Sequence, residues 1–147
     1  VNSDEETLEF LGKAIVKAKE SIERDLTFRP FLMTIDSEGV MKVVENHALS
    51  DADSYSLLED SLTQRVKESS IDMLIIATRD IMPQRFSQEN GRDCIRLHLE
   101  ERSQLSQKIS ARFLYIPYLV YRVEDSDSYY VKLGNPEPVG FPALYLT

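Results

Sequence analysis

Between Cys94 and Glu100 apolar and polar residues alternate strictly. Ile95, Leu97 and Leu99 fall on one side of an extended chain, and Cys94, Arg96, His98 and Glu100 on the other. After a polar turn at Ser103–Gln107, Ile109, Ala111, Phe113 and Tyr115 continue one face, while Ser110 and Arg112 begin the other. The pattern predicts a long antiparallel hairpin over residues 93–123, with one dry side and one wet side. The remaining elements are expected to cover the dry side.

Upstream, Leu8, Leu11, Ile15, Ala18 and Ile22 recur at helical spacing behind Ser3-Asp4-Glu5-Glu6, which has the form of a capping box. This helix should stop before Pro30, because a residue preceding proline is pushed out of helical geometry. Phe31–Asp36 and Val40–Glu45 read as strands joined by the turn residues Asp36-Ser37-Glu38-Gly39. A second helix starts at Ser50 or Asp51 and carries the stripe Tyr55, Leu58, Leu62 and Val66. Ile71–Ile81 is apolar on both faces over Met73–Ala77, the mark of a central, doubly covered strand. A polar connection, Met82–Arg92, contains the turn signal Asn90-Gly91, and after the long hairpin Tyr129–Leu133 reads as a short last strand.

This order, α-β-β-α-β-β-β-β, predicts one α+β domain over residues 1–147. Its sheet should be mainly antiparallel, of five to six strands, with both helices on one face. Residues 134–147 are proline-rich and should lie extended, packed on the domain or on a neighbour. The apolar Ala143–Leu146 and an unpaired-looking end strand lead to the expectation of a homodimer.

Several short segments resemble a group of small, widely distributed bacterial α+β proteins without an established activity. They are Phe28-Arg29-Pro30-Phe31 at the first strand, Gly39 in the first hairpin, Leu99-Glu100-Glu101-Arg102 closing the middle strand, and Ile116-Pro117-Tyr118. A closing Gly-Pro-rich segment completes the resemblance, which spans about Leu8 to Phe141 and departs from the group by a longer turn at Ser103–Gln107. It implies the fold and a bacterial source and brings no catalytic residue with it. The element order also resembles profilin-like and roadblock-like domains, with their final helix replaced by the proline-rich tail; fold likeness carries no function.

Charge changes the picture more than composition does. Seventeen basic against 25 acidic residues give −8, which repels phosphate backbones and disfavours nucleic acid as a partner, while a basic protein would be attracted. No apolar run approaches the ~20 residues of a membrane helix, and the N-terminal residues lack a signal-type stretch, so no membrane partner is expected and the cytoplasm is the default location. The single cysteine excludes an internal disulfide and a multi-thiolate zinc site.

Catalytic patterns are sparse. Cys94 and His98 share a strand face but stand roughly 13 Å apart at about 3.3 Å per residue, too far for a nucleophile–base pair. No phosphate-binding glycine loop or nucleophile elbow is present, and no cofactor is expected. No metal is expected either: Asp51-Ala-Asp53 and Asp125-Ser-Asp127 do not continue into a calcium loop. Glu100 and Glu101, being adjacent on a strand, face opposite ways.

The concentrated polar constellation is Arg96, His98 and Glu100, with Arg112 expected across the hairpin. Tyr115 and Tyr118 add to a tyrosine crowd that includes Tyr121, Tyr129, Tyr130 and Tyr145. These residues suggest a non-catalytic cytosolic protein-interaction module, presenting the polar hairpin face or the tyrosine-rich edge. One form is an acidic immunity-type or regulatory protein that occludes a basic partner. The alternatives are a small-molecule sensor or carrier with a pocket between helices and sheet, and an enzyme using the Arg96, His98 and Glu100 row.

Overall fold

The structure, a computed structural model, describes residues 3–48, 50–68, 70–83, 85 and 92–146. It begins with helix α1 (Ser3–Asp25), whose row Phe10, Ala14, Ala18 and Ile22 is buried against the sheet, flanked by Leu11 and Ile15. Leu8, on the stripe read from sequence, is 68% exposed, so the inward row is turned toward Phe10 and Ala14. The two alanines carry no bulk beyond Cβ, which lets the helix lie close to the strands. Leu26 ends the helix at φ 62 with its N–H on the Ile22 carbonyl, 2.8 Å away. The cap expected from the Ser3 side chain lies outside the described residues.

Strands β1 (Phe31–Asp36) and β2 (Met41–Val44) form the first hairpin. Its turn is set by Asp36, whose Oδ1 accepts from the N–H groups of Glu38 (2.9 Å) and Val40 (3.0 Å), and by Gly39 at φ 82. Helix α2 (Asp51–Glu68) is capped by Ser50, whose Oγ accepts from the Asp53 N–H at 3.1 Å. Then come β3 (Ile71–Ile81), β4 (Asp93–Glu101), a 3-10 turn at Arg102–Gln104, β5 (Ala111–Arg122), β6 (Tyr129–Leu133) and β7 (Glu137–Phe141). The turn expected at Asn90-Gly91 lies outside the described residues.

The α+β class and the antiparallel sheet stand as expected. The strand order is β2-β1-β3-β4-β5-β6, with β7 also on β5, and every pair is antiparallel. The sheet has seven strands, the additional one being β7 inside the proline-rich segment. Pro138 is tolerated there because an edge strand leaves alternate N–H positions unused. β6 pairs with Tyr118–Arg122 and β7 with Ala111–Tyr115, so Gly134–Pro136 oppose Ile116 and Pro117 as an irregular step.

β3 is central and covered on both faces, and its alternation separates two cores. Met73, Ile75 and Ala77 join Phe31, Met33, Ile95, Leu97, Leu99 and Ile116 beneath α1. Leu74 and Ile76 join Leu32, Leu58, Leu62 and Leu146 with α2. The sequence reading placed the two helices together; packing puts α1 on one side of β1 and β3 and α2 on the other. The reason is that β1 and β3 are apolar on both sides, and each side needs a cover. α1 also reaches β6, where Glu23 Oε2 accepts from the Val131 N–H at 2.8 Å. No described helix is long and apolar enough to cross a membrane.

Candidate functional site

The alternation read along β4 is realised. Register sets Arg96 opposite Tyr115, His98 opposite Phe113 and Glu100 opposite Ala111, all on the α2 side. That side was expected to be wet and is buried: His98 is 1% and Glu100 0% exposed. What covers it is α2 together with Phe141 and the end of the chain, Ala143–Leu146, elements whose contribution a strand-by-strand reading does not include.

Glu100 holds that end in place. Its Oε1 accepts from the N–H groups of Tyr145 (3.1 Å) and Leu146 (2.9 Å), and Oε2 from the Leu144 N–H (3.0 Å). His98 Nε2 stands 2.6 Å from the same Oε2 and donates to it. Four donors thus saturate one buried carboxylate. The His98 ring is enclosed by Phe113 and Phe141, both edge-on at centroid distances of 5.3 and 5.1 Å, and by Tyr145 at 5.3 Å. The Tyr145 hydroxyl donates in turn to Glu59 on α2. Tyr145 is held well above the ordinary tyrosine range by burial and by that carboxylate.

Burial alone would push Glu100 upward, but the hydrogen bonds from His98 and the Leu146 and Leu144 N–H groups outweigh it. The carboxyl is held below its ordinary value of 4.5. A carboxyl depressed in the folded state contributes stability that is fully present above the unfolded value and is lost as pH falls through the folded one. Melting temperature should therefore drop more steeply below about pH 4.5 in the native protein than in Glu100→Gln. Calorimetry of both over roughly pH 6 to 3 checks this; parallel profiles would contradict it.

Arg96 is partly buried, with Nη1 2.9 Å from Asp80 Oδ2 and its guanidinium over the rings of Phe113 (4.9 Å) and Tyr55 (5.4 Å). Cys94 is buried, and its thiol is pushed up to about 12 by burial and by Asp80, which leaves it a poor nucleophile. Two candidates fall elsewhere. Arg112 lies opposite Leu99, on the α1 side and exposed, so it does not complete the Arg96, His98 and Glu100 row. Tyr118 is 7% exposed and belongs to the core beneath α1, while Tyr115 is partly buried beside Arg96. Among the described residues no three His, Cys, Asp or Glu side chains group as metal ligands.

Two surfaces among the described residues are candidates for binding. The first is the outer part of the β5–β6 ribbon, where pairing with β4 has ended at Pro117. Leu119, Val120, Tyr121, Val123 and Tyr130 are exposed there, and Tyr121 stacks on Tyr130 at 5.2 Å and 20°. The second is a cleft of about 270 Å³ on the α1 side, lined by Leu99, Glu101, Ile109, Arg112, Pro138 and their neighbours. Glu101 entered the sequence reading only as the carboxylate facing away from Glu100, and not as a site residue. Its signal was a charge continuing the apolar face of Leu97 and Leu99, where a carboxylate must find a partner or stay costly.

Compared with protein-family models, curated proteins and solved structures, the chain matches none.

Proposed function

We propose that the chain is a non-catalytic protein-interaction module that engages a basic partner through the β5–β6 ribbon. The observation that carries this is the exposed apolar face of Leu119, Tyr121 and Tyr130, extended by Val123 and with Val120 exposed on the other face, on a ribbon that runs past β4. Isolated two-stranded ribbons are marginal in water, and apolar surface on one gains from being covered. The tip adds Glu124, Asp125 and Asp127 against Arg122, which pairs with Asp127 at 3.3 Å. With the overall charge of −8, that rim would speed encounter with a basic surface. A regulator or immunity-type inhibitor has this form.

Replacing both Tyr121 and Tyr130 by serine should abolish retention of a stoichiometric partner in affinity capture and leave the melting temperature within a few degrees. Retention by the native chain should weaken as salt rises. Retention unchanged in the double variant, or insensitive to salt, would overturn the reading. A second copy of this chain, which carries −8 itself, would instead associate through the apolar face alone and more strongly as salt rises. Of the terminal segment that first suggested a dimer, Leu146 is 0% exposed within the chain, while Leu144 stays 61% exposed.

A second reading, a small-molecule sensor, is favoured by the Glu101 cleft, although that cleft is lined by strands and their connections and not by α1 or α2. The enzyme reading loses its ground, because the Arg96, His98 and Glu100 row is occupied by α2 and the chain end.

A further inference from the structure

The geometry points to the Glu101 cleft as a binding site for a small zwitterion with an apolar body, of the α-amino acid class. This rests on the sensor reading of the cleft and names its ligand. Glu101 is 7% exposed, and its Oε1 is shut off from the surface without a hydrogen-bond partner among the described residues. A buried carboxylate left this way lacks compensation for its lost hydration; Glu101 lines the cleft, and a donor arriving there would supply it once the carboxyl turns about its last bond. Leu99, Ile109 and Pro138 form apolar walls in the same cleft. Ile109 lies over Gly140, occupying space that a Cβ there would take.

Arg112 completes the pattern. It lines the cleft, is exposed, and forms no ion pair with another described residue. Register places it opposite Leu99, so it stands on the same sheet face as Glu101, one diagonal step away. Such positions are about 7–8 Å apart, which leaves room for a ligand group between them. Arg112 would repel a simple cation and Glu101 a simple anion, whereas a molecule carrying both charges satisfies each. A hard metal ion is disfavoured because it needs several oxygen ligands and the cleft offers a single carboxylate. The volume of about 270 Å³, just under the ~300–1,000 Å³ of drug-sized ligand pockets, suits a single amino acid and not a polymer. The cleft and the exposed ribbon lie at opposite ends of β5, so the site is independent of the proposed protein surface.

The test is NMR titration and thermal shift of the whole chain with L-leucine, L-methionine, L-valine and L-phenylalanine, alongside leucinamide and N-acetylleucine. At least one free amino acid is expected to shift the amides of Ser110, Arg112 and Gly140 and to raise the melting temperature. Leucinamide and N-acetylleucine should each bind at least tenfold more weakly than leucine. Glu101→Gln should lose the preference over N-acetylleucine, and Arg112→Ala the preference over leucinamide; Arg112 is exposed, so this variant keeps the test open if Glu101→Gln fails to fold.

No response to any of the four at millimolar concentration would overturn the proposal, as would equal binding of all three leucine derivatives. Equal stability losses in Glu101→Gln and Arg112→Ala without any ligand response would mean that the two side chains pair with each other, which also overturns it. Native mass spectrometry of the purified chain separates the two levels. A copurified small molecule of another class sinks the amino acid and leaves the sensor reading standing.

Discussion

Replacing Glu100 by glutamine is expected to lower the melting temperature by on the order of 10 °C and to open the amides of Leu144, Tyr145 and Leu146 to hydrogen exchange. All four of its contacts are donors: three backbone N–H groups and His98 Nε2. A glutamine amide offers one acceptor oxygen, so either orientation turns its NH2 toward two donors. Breaking a buried charged contact of this kind costs about 3–5 kcal/mol, a large part of the ~5–15 kcal/mol that holds a domain together. The released segment would also withdraw Leu146 from the core with Leu58 and Leu62. Glu59→Gln is the comparison, since it touches the same segment only through the Tyr145 hydroxyl and should cost about 1 kcal/mol. Calorimetry with amide exchange checks both; an unchanged melting temperature for Glu100→Gln would mean that the carboxylate does not hold the chain end in solution.

Phe10→Ala should have a comparable effect through a different cause. Phe10 is 1% exposed and packs beneath α1 in the core with Met73 and Ile75, so its truncation removes a full aromatic and leaves a cavity, at about 3–5 kcal/mol. Leu8→Ala, two residues earlier and 68% exposed, should stay within about 0.5 kcal/mol. Urea midpoints of the two variants decide which row of α1 faces the sheet. Equal losses would restore the stripe through Leu8 that spacing alone suggests.

The two comparisons show where local pattern stops. On α1, Leu8 and Phe10 are both apolar, and periodicity fits a row through either. Only the position of β1 and β3 beneath the helix selects Phe10. On β4, alternation separated Ile95, Leu97 and Leu99 from Arg96, His98 and Glu100 correctly, yet polarity did not reveal exposure. A polar row can be buried once donors arrive to match it, and here they come from residues 44 to 46 positions further along the chain. Arg112 shows the same limit across a hairpin: without knowing the register, its face relative to His98 is undetermined.

Period, turn chemistry and capping are properties of neighbouring residues, and so the sequence by itself determined both helices, six of the seven strands, the central place of β3 and the antiparallel α+β class. β7 carries too little alternation and two flanking prolines, and it becomes a strand only because β5 offers it an edge. Tertiary structure alone decided that α1 and α2 take opposite faces, that Glu100 is a latch for the chain end, and that Glu101 is left facing a cleft. Each of these depends on which groups from distant parts of the chain meet, and the free energy of a buried charge is set by those partners and not by its neighbours in sequence.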